Sequence, residues 1–76
     1  MANRLPEFGI MLLRVTKADG TKTTVSLHDD EYFLLHQRYP EMRERVDRLH
    51  AASHAYDRAG QPGKGRSAFV RKALLG

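Results

Sequence analysis

Residues 60–67 read G-QPGK-G-R-S, one residue away from the phosphate-binding loop G-x-x-x-x-G-K-[ST], with Arg66 in place of the lysine. In nucleotide-binding proteins that loop follows a buried parallel strand, and its lysine reaches the outer phosphates. Here the pattern places a helix before the loop, the lysine is missing, and the chain is too short for a parallel sheet. Nucleotide binding is set aside on those grounds. A more general chemistry survives. A helix amino terminus carries free N–H groups and partial positive charge, so it can hold phosphate without a special motif. Gly63 and Gly65 would let a backbone come close, and Lys64 and Arg66 add charge. An ordinary loop with Ser67 as a helix cap accounts for the same residues without any ligand.

The second candidate is the H-A-A-S-H run ending at His54. His50 and His54 stand four apart and would share a helix face, with Asp57 near one turn further. The glutamate of the H-E-x-x-H metalloprotease motif is absent, and two ligands do not make a specific metal site. Two exposed histidines on an amphipathic helix is the favoured reading. Ser53, His50 and Asp57 could be written as a triad, but on one helix they do not line up, and nothing supplies an oxyanion hole. No enzyme, metal or cofactor is therefore expected.

The elements that must carry these residues follow from periodicity. "IMLLRVTKADGTKTTVSL" is rich in β-branched residues around a glycine turn and reads as a β-hairpin. A two-residue Asp19-Gly20 turn would mix both faces. A loop of Ala18, Asp19 and Gly20 instead puts Met11, Leu13, Val15, Thr23, Val25 and Leu27 on one face. Leu12, Arg14, Thr16, Lys22, Thr24 and Ser26 then share the other, and Gly20 falls where that hairpin class needs positive φ. A helix "DDEYFLLHQRY" follows, capped by Asp29 or Asp30. Pro40 interrupts it and suits the first turn of a second helix, whose stripe is Met42, Val46, Leu49, Ser53 and Tyr56. Glu41–Arg45 and Glu44–Arg48 are expected on a solvated face. Gly60 ends the helix, and "RSAFVRKALL" forms a short last one with Phe69, Val70, Ala73 and Leu74 on its apolar side.

The 76 residues make one domain, read as a flexible lead-in over residues 1–9 and a folded unit over 10–76. A chain this short buries only about 60% of its unfolded surface, which favours an oligomer. The sequence has no cysteine and no long apolar run, pointing to a reducing compartment, the cytoplasm, and no membrane partner. Charge is segregated. Residues 1–27 hold four Lys/Arg against two Asp/Glu, residues 28–59 five against seven, and residues 60–76 four against none. A polyanion would be met by the two basic ends.

A family resemblance joins these pieces. The strand and acidic helix start "TKTTVSLHDDEYFLL", followed later by "GRSAFVRKAL", resembles the ribbon-helix-helix DNA-binding family. "DGTKTTVSL" is similar to a subgroup with a strand before the usual ribbon. The resemblance covers roughly residues 20–36 and 64–75. It implies that two chains pair strands into a ribbon that enters the major groove, and that the second family helix meets phosphate with its amino end. Carried over, Lys22, Thr24 and Ser26 read bases, with Arg14 beside them on the hairpin face, and Gly65, Arg66 and Ser67, with Lys64, clamp phosphate. The sequence departs from the family in three places. About thirty residues separate the matching pieces where a short turn is usual. Gly65 stands where the family has a capping Ser, Thr or Asn. The first strand is extra, and a flat four-stranded sheet fits a major groove about 12 Å wide poorly.

The expectation is an α+β, ribbon-helix-helix-like homodimer, paired through "TKTTVSL" and the helices: hairpin, interrupted long helix or helix pair, loop, short helix. Its expected function is sequence-specific duplex DNA binding as a small transcriptional or antitoxin-type repressor, which could also have a cognate protein partner. The competing expectation is an interaction or assembly module whose hairpin edge pairs with a partner strand, without nucleic acid.

Overall fold

The computed structural model describes residues 9–76; apart from Gly9, the lead-in read over residues 1–9 lies outside them. The fold is α+β. Strands β1 (Ile10–Thr16) and β2 (Lys22–His28) form an antiparallel hairpin, followed by helices α1 (Asp29–Arg38), α2 (Met42–Arg58) and α3 (Arg66–Leu75). No helix among the described residues is long and apolar enough to cross a membrane.

The hairpin takes the register that buries one face. Met11 pairs with Leu27, Leu13 with Val25 and Val15 with Thr23. The turn closes with Lys17 N–H donating to the Thr21 carbonyl at 2.7 Å and Gly20 N–H to the Lys17 carbonyl at 2.9 Å. Gly20 has φ +91°, a conformation that side-chain-bearing residues rarely adopt. Asp19 braces the turn by accepting the N–H and hydroxyl of Thr21, which lowers its carboxyl pKa. Val15, Val25 and Leu27 are fully buried against Leu35 of α1, Leu49 and Ala52 of α2, and Val70 and Leu74 of α3. Met11, at the rim, remains exposed.

Helix boundaries differ from the sequence expectation in instructive ways. His28, not Asp29 or Asp30, is the N-cap of α1, because β2 runs directly into the helix. The acids complement the first turn instead: Glu31 accepts the His28 N–H at 2.8 Å, and Asp30 accepts the Glu31 N–H at 2.9 Å. Pro40 separates α1 from α2 but lies outside α2, whose N-cap is Glu41. The link is held by Arg45, which donates to the carbonyls of Tyr39 and Pro40 at 2.8 and 3.1 Å. Arg45 thus satisfies stranded backbone rather than pairing with Glu41, whereas Arg48 and Glu44 do form the expected exposed pair at 3.2 Å. Of the α2 stripe, Leu49, Ser53 and Tyr56 are buried, but Met42 and Val46 are exposed. Gly60 ends α2 as expected, with φ +83°. Gln61 N–H donates to the Tyr56 carbonyl and Gly60 N–H to the Asp57 carbonyl, the paired bonds of a Schellman turn.

Leu35 is fully buried where all the elements converge, while its neighbour Leu34 is exposed. Leu35→Ala should cost about 2–5 kcal/mol of stability through lost burial and a residual cavity. Leu34→Ala should cost less than about 1 kcal/mol. Urea unfolding of both variants checks this; equal losses would mean that the core is not centred on Leu35.

Candidate functional site

The sequence offers two groups of candidate residues, and the fold brings them side by side. The first lies on the outer hairpin face. Arg14 pairs with Thr24, Thr16 with Lys22 and Leu12 with Ser26. Since the odd-numbered pairs carry the hydrogen bonds between strands, these even pairs are the close kind, with Cα atoms about 4.5 Å apart. Arg14, Lys22 and Thr24 are exposed, and neither Arg14 nor Lys22 forms an ion pair among the described residues. Ser26 is half-buried. Its N–H donates to Ser67 Oγ at 2.9 Å, which seats the start of α3 against the edge of β2.

The second group is the start of α3, where the roles divide. Gly65 is the N-cap with φ +117°, a backbone angle that would strain a capping Ser or Thr, and no side chain caps the helix. Its first N–H groups are therefore free of a side-chain cap, as the phosphate reading requires. Lys64 is exposed, and with Lys72 it borders a shallow groove lined also by Phe69 and Ala68. Ser67 is not a cap; its hydroxyl accepts from β2. Arg66 is turned inward. Its guanidinium grips Asp57 by two bonds, Nη2 to Oδ1 at 2.6 Å and Nη1 to Oδ2 at 3.0 Å. It also donates to the carbonyl and hydroxyl of Ser53 at 2.9 and 2.8 Å, and lies 4.8 Å from the Tyr56 ring centre.

Arg66 belongs to a network that also contains the other residues suspected of chemistry. Ser53 is fully buried and donates to the Thr16 carbonyl at 2.7 Å. Asp57 accepts the Ala18 N–H at 2.8 Å. His50 and His54 are half-buried rather than exposed on a solvated face, because the end of β1 rests on them. Thr16 N–H donates to His50 Nδ1 at 3.1 Å, and Thr16 Oγ1 lies 2.8 Å from His54 Nε2. Ser53, His50 and Asp57 thus fasten the hairpin to α2. Among the described residues no group of three His, Asp or Glu could hold a metal ion.

This network left a trace in the sequence that periodicity does not reveal. Asp57 stands in the last turn of α2, where the helix dipole disfavours an acid, and Arg66 opens α3, where it disfavours a cation. Two charges at the wrong helix ends call for each other. Comparison with family models, curated proteins and solved structures finds no significant match.

The Arg66 bonds, and then the Ala18 N–H, hold the Asp57 carboxyl well below the usual carboxylate range; the same pair raises the Arg66 pKa. A depressed acid stabilises the fold fully above its unfolded value of 3.8, and the contribution is lost as the pH falls below that value toward the folded one. The wild type should lose more stability than Asp57→Asn between about pH 5 and about pH 2. Urea midpoints measured across that range check the sign. Parallel losses would show that Asp57 is not a determinant of acid sensitivity.

Proposed function

We propose that this protein is a duplex DNA-binding protein of the ribbon-helix-helix kind, acting as a homodimer in a small transcriptional or antitoxin-type repressor role. One observation carries the reading. The Ser26–Ser67 hydrogen bond seats the start of α3 against the edge of β2, so the uncapped helix N–H groups lie beside the strand that carries Lys22 and Thr24. Arg14 and Lys22 offer charge to phosphate or base edges, and Thr24 between them offers a hydroxyl of either hydrogen-bonding sense. Lys64 and the α3 amino end offer sequence-independent phosphate contacts. Arg66 contributes by holding α3 in place, since its guanidinium is already satisfied inside the fold.

Two acidic groups are engaged locally: Asp19 accepts from Thr21 within the hairpin turn, and Glu31 accepts the His28 N–H. Asp29, Asp30 and Glu31 sit in the first turn of α1, and Glu44 pairs with Arg48. On the outer hairpin face itself the charged side chains are the exposed Arg14 and Lys22.

Arg14→Ala and Lys22→Ala should each weaken binding to every duplex and reduce the salt slope by about one counterion. Thr24→Ala should leave the slope unchanged and alter preference at one base position by roughly 1–3 kcal/mol. Selection from random duplexes, followed by anisotropy titrations between about 50 and 200 mM salt, measures both effects. Absence of duplex binding at the lowest salt would remove the reading.

A further inference from the structure

The two outer edges of the hairpin are treated differently. Thr16 N–H, Ser26 N–H and His28 N–H all bond outside the strand pair, to His50, Ser67 and Glu31. Even-numbered residues therefore direct their backbone groups outward on both strands. On β2 that edge is managed. Ser67 and Glu31 take two of its N–H groups, and Lys22 places a charge on the open remainder. On β1, among the described residues, only the Thr16 end is covered, by His50 and Ser53. The backbone groups of Ile10, Leu12 and Arg14 have no partner among the described residues, and two of these three side chains are apolar and exposed: Leu12 at 71% and Ile10 at 57%. An open apolar edge without lysine, proline or bulge is a template for another strand.

We propose that the β1 edge receives the same edge of a second copy of this chain, antiparallel about Leu12, closing a four-stranded sheet whose outer edges are both β2. Leu12 then faces Leu12 of the other copy, and Ile10 faces Arg14, so no like charges oppose one another. Up to about six main-chain hydrogen bonds form across the twofold axis. The choice of a second copy over a foreign strand rests on closure. Self-pairing consumes both apolar edges and leaves only managed edges outside, as a closed twofold assembly requires. Pairing through β2, the arrangement expected from the sequence resemblance, would need the Ser26 N–H that Ser67 already holds. It would also leave both apolar edges open. Three residues a side, of which Ile10 and Leu12 are apolar, give an interface below the roughly 1,200 Å² of standard complexes, so the dimer dissociates on dilution. The inference keeps the homodimer of the proposed function but moves its seam from β2, where the ribbon-helix-helix resemblance puts it, to β1, and it is independent of the DNA part.

The test uses no DNA. The natural chain has no cysteine, so single cysteines report cleanly. Across a hydrogen-bonded pair the Cα atoms stand about 5.5 Å apart, within the range of about 4.4–6.8 Å that a disulfide spans. Leu12→Cys should therefore oxidise to a covalent dimer, and Thr24→Cys, on β2, should not. Wild type should pass from monomer to dimer in sedimentation between about 1 µM and about 200 µM, a range suited to a weak interface. Leu12→Lys should remain monomeric over that range with an unchanged circular dichroism spectrum. Cross-linking of Thr24→Cys but not Leu12→Cys would overturn the assignment in favour of β2. A wild-type monomer at every concentration, with no Leu12→Cys cross-link, would overturn self-pairing altogether. Loss of DNA binding with an intact Leu12 cross-link would leave this inference standing and the functional reading refuted.

Discussion

Asp57 and Arg66 are each placed badly and together placed well. An acid in the last turn of α2 opposes the helix dipole, as does a cation at the first residue of α3. Their bidentate pair removes both penalties and fixes the two helix ends against each other. The side chains are only 11% and 13% exposed, so loss of either partner would strand the other charge where water reaches it poorly. Around the pair run the bonds that hold the hairpin. Asp57 takes Ala18 N–H, Ser53 gives to the Thr16 carbonyl, and Arg66 braces Ser53. One ionic contact thus sets how the sheet lies on α2 and where α3 begins.

The hairpin shows how far one-dimensional reasoning reaches. Its register was legible because a one-residue slip would have put Val15 on the opposite face from Val25 and Leu27, and because Gly20 supplies the positive φ that the turn needs. The break at Pro40 and the stop at Gly60 were legible for equally local reasons. What periodicity missed depends on contacts between residues far apart in the chain. His50 and His54 look like a polar face of α2 until β1 is laid across them. Arg45 looks like a partner for Glu41 until the Pro40 bend leaves two carbonyls unsatisfied within its reach. The stripe through Met42 and Val46 is regular, yet the fold leaves both exposed.

The candidate site divides along the same line. Exposure of Arg14, Lys22 and Thr24 followed from strand alternation, which is a local property. The nearness of α3 to that face did not, because it depends on Ser67 reaching Ser26 across 41 residues of sequence. Arg66 was the least legible residue of all. Its type and position suit an anion, and only the fold supplies an internal carboxylate to take that role. A basic residue at a helix start is a phosphate ligand only when no acid of its own chain competes for it.

The spacing of these contacts also bears on the order in which the molecule can come together. The hairpin closes through neighbours in sequence and can form in microseconds. Its buried face is covered in part by Val70 and Leu74, in the last helix. On the ribosome, where a chain lengthens by about 5–20 residues each second, the strands emerge seconds before that helix exists. Val15, Val25 and Leu27 therefore wait incompletely covered for a time far longer than the hairpin needs to form. In that interval the apolar face of the hairpin stays open to water.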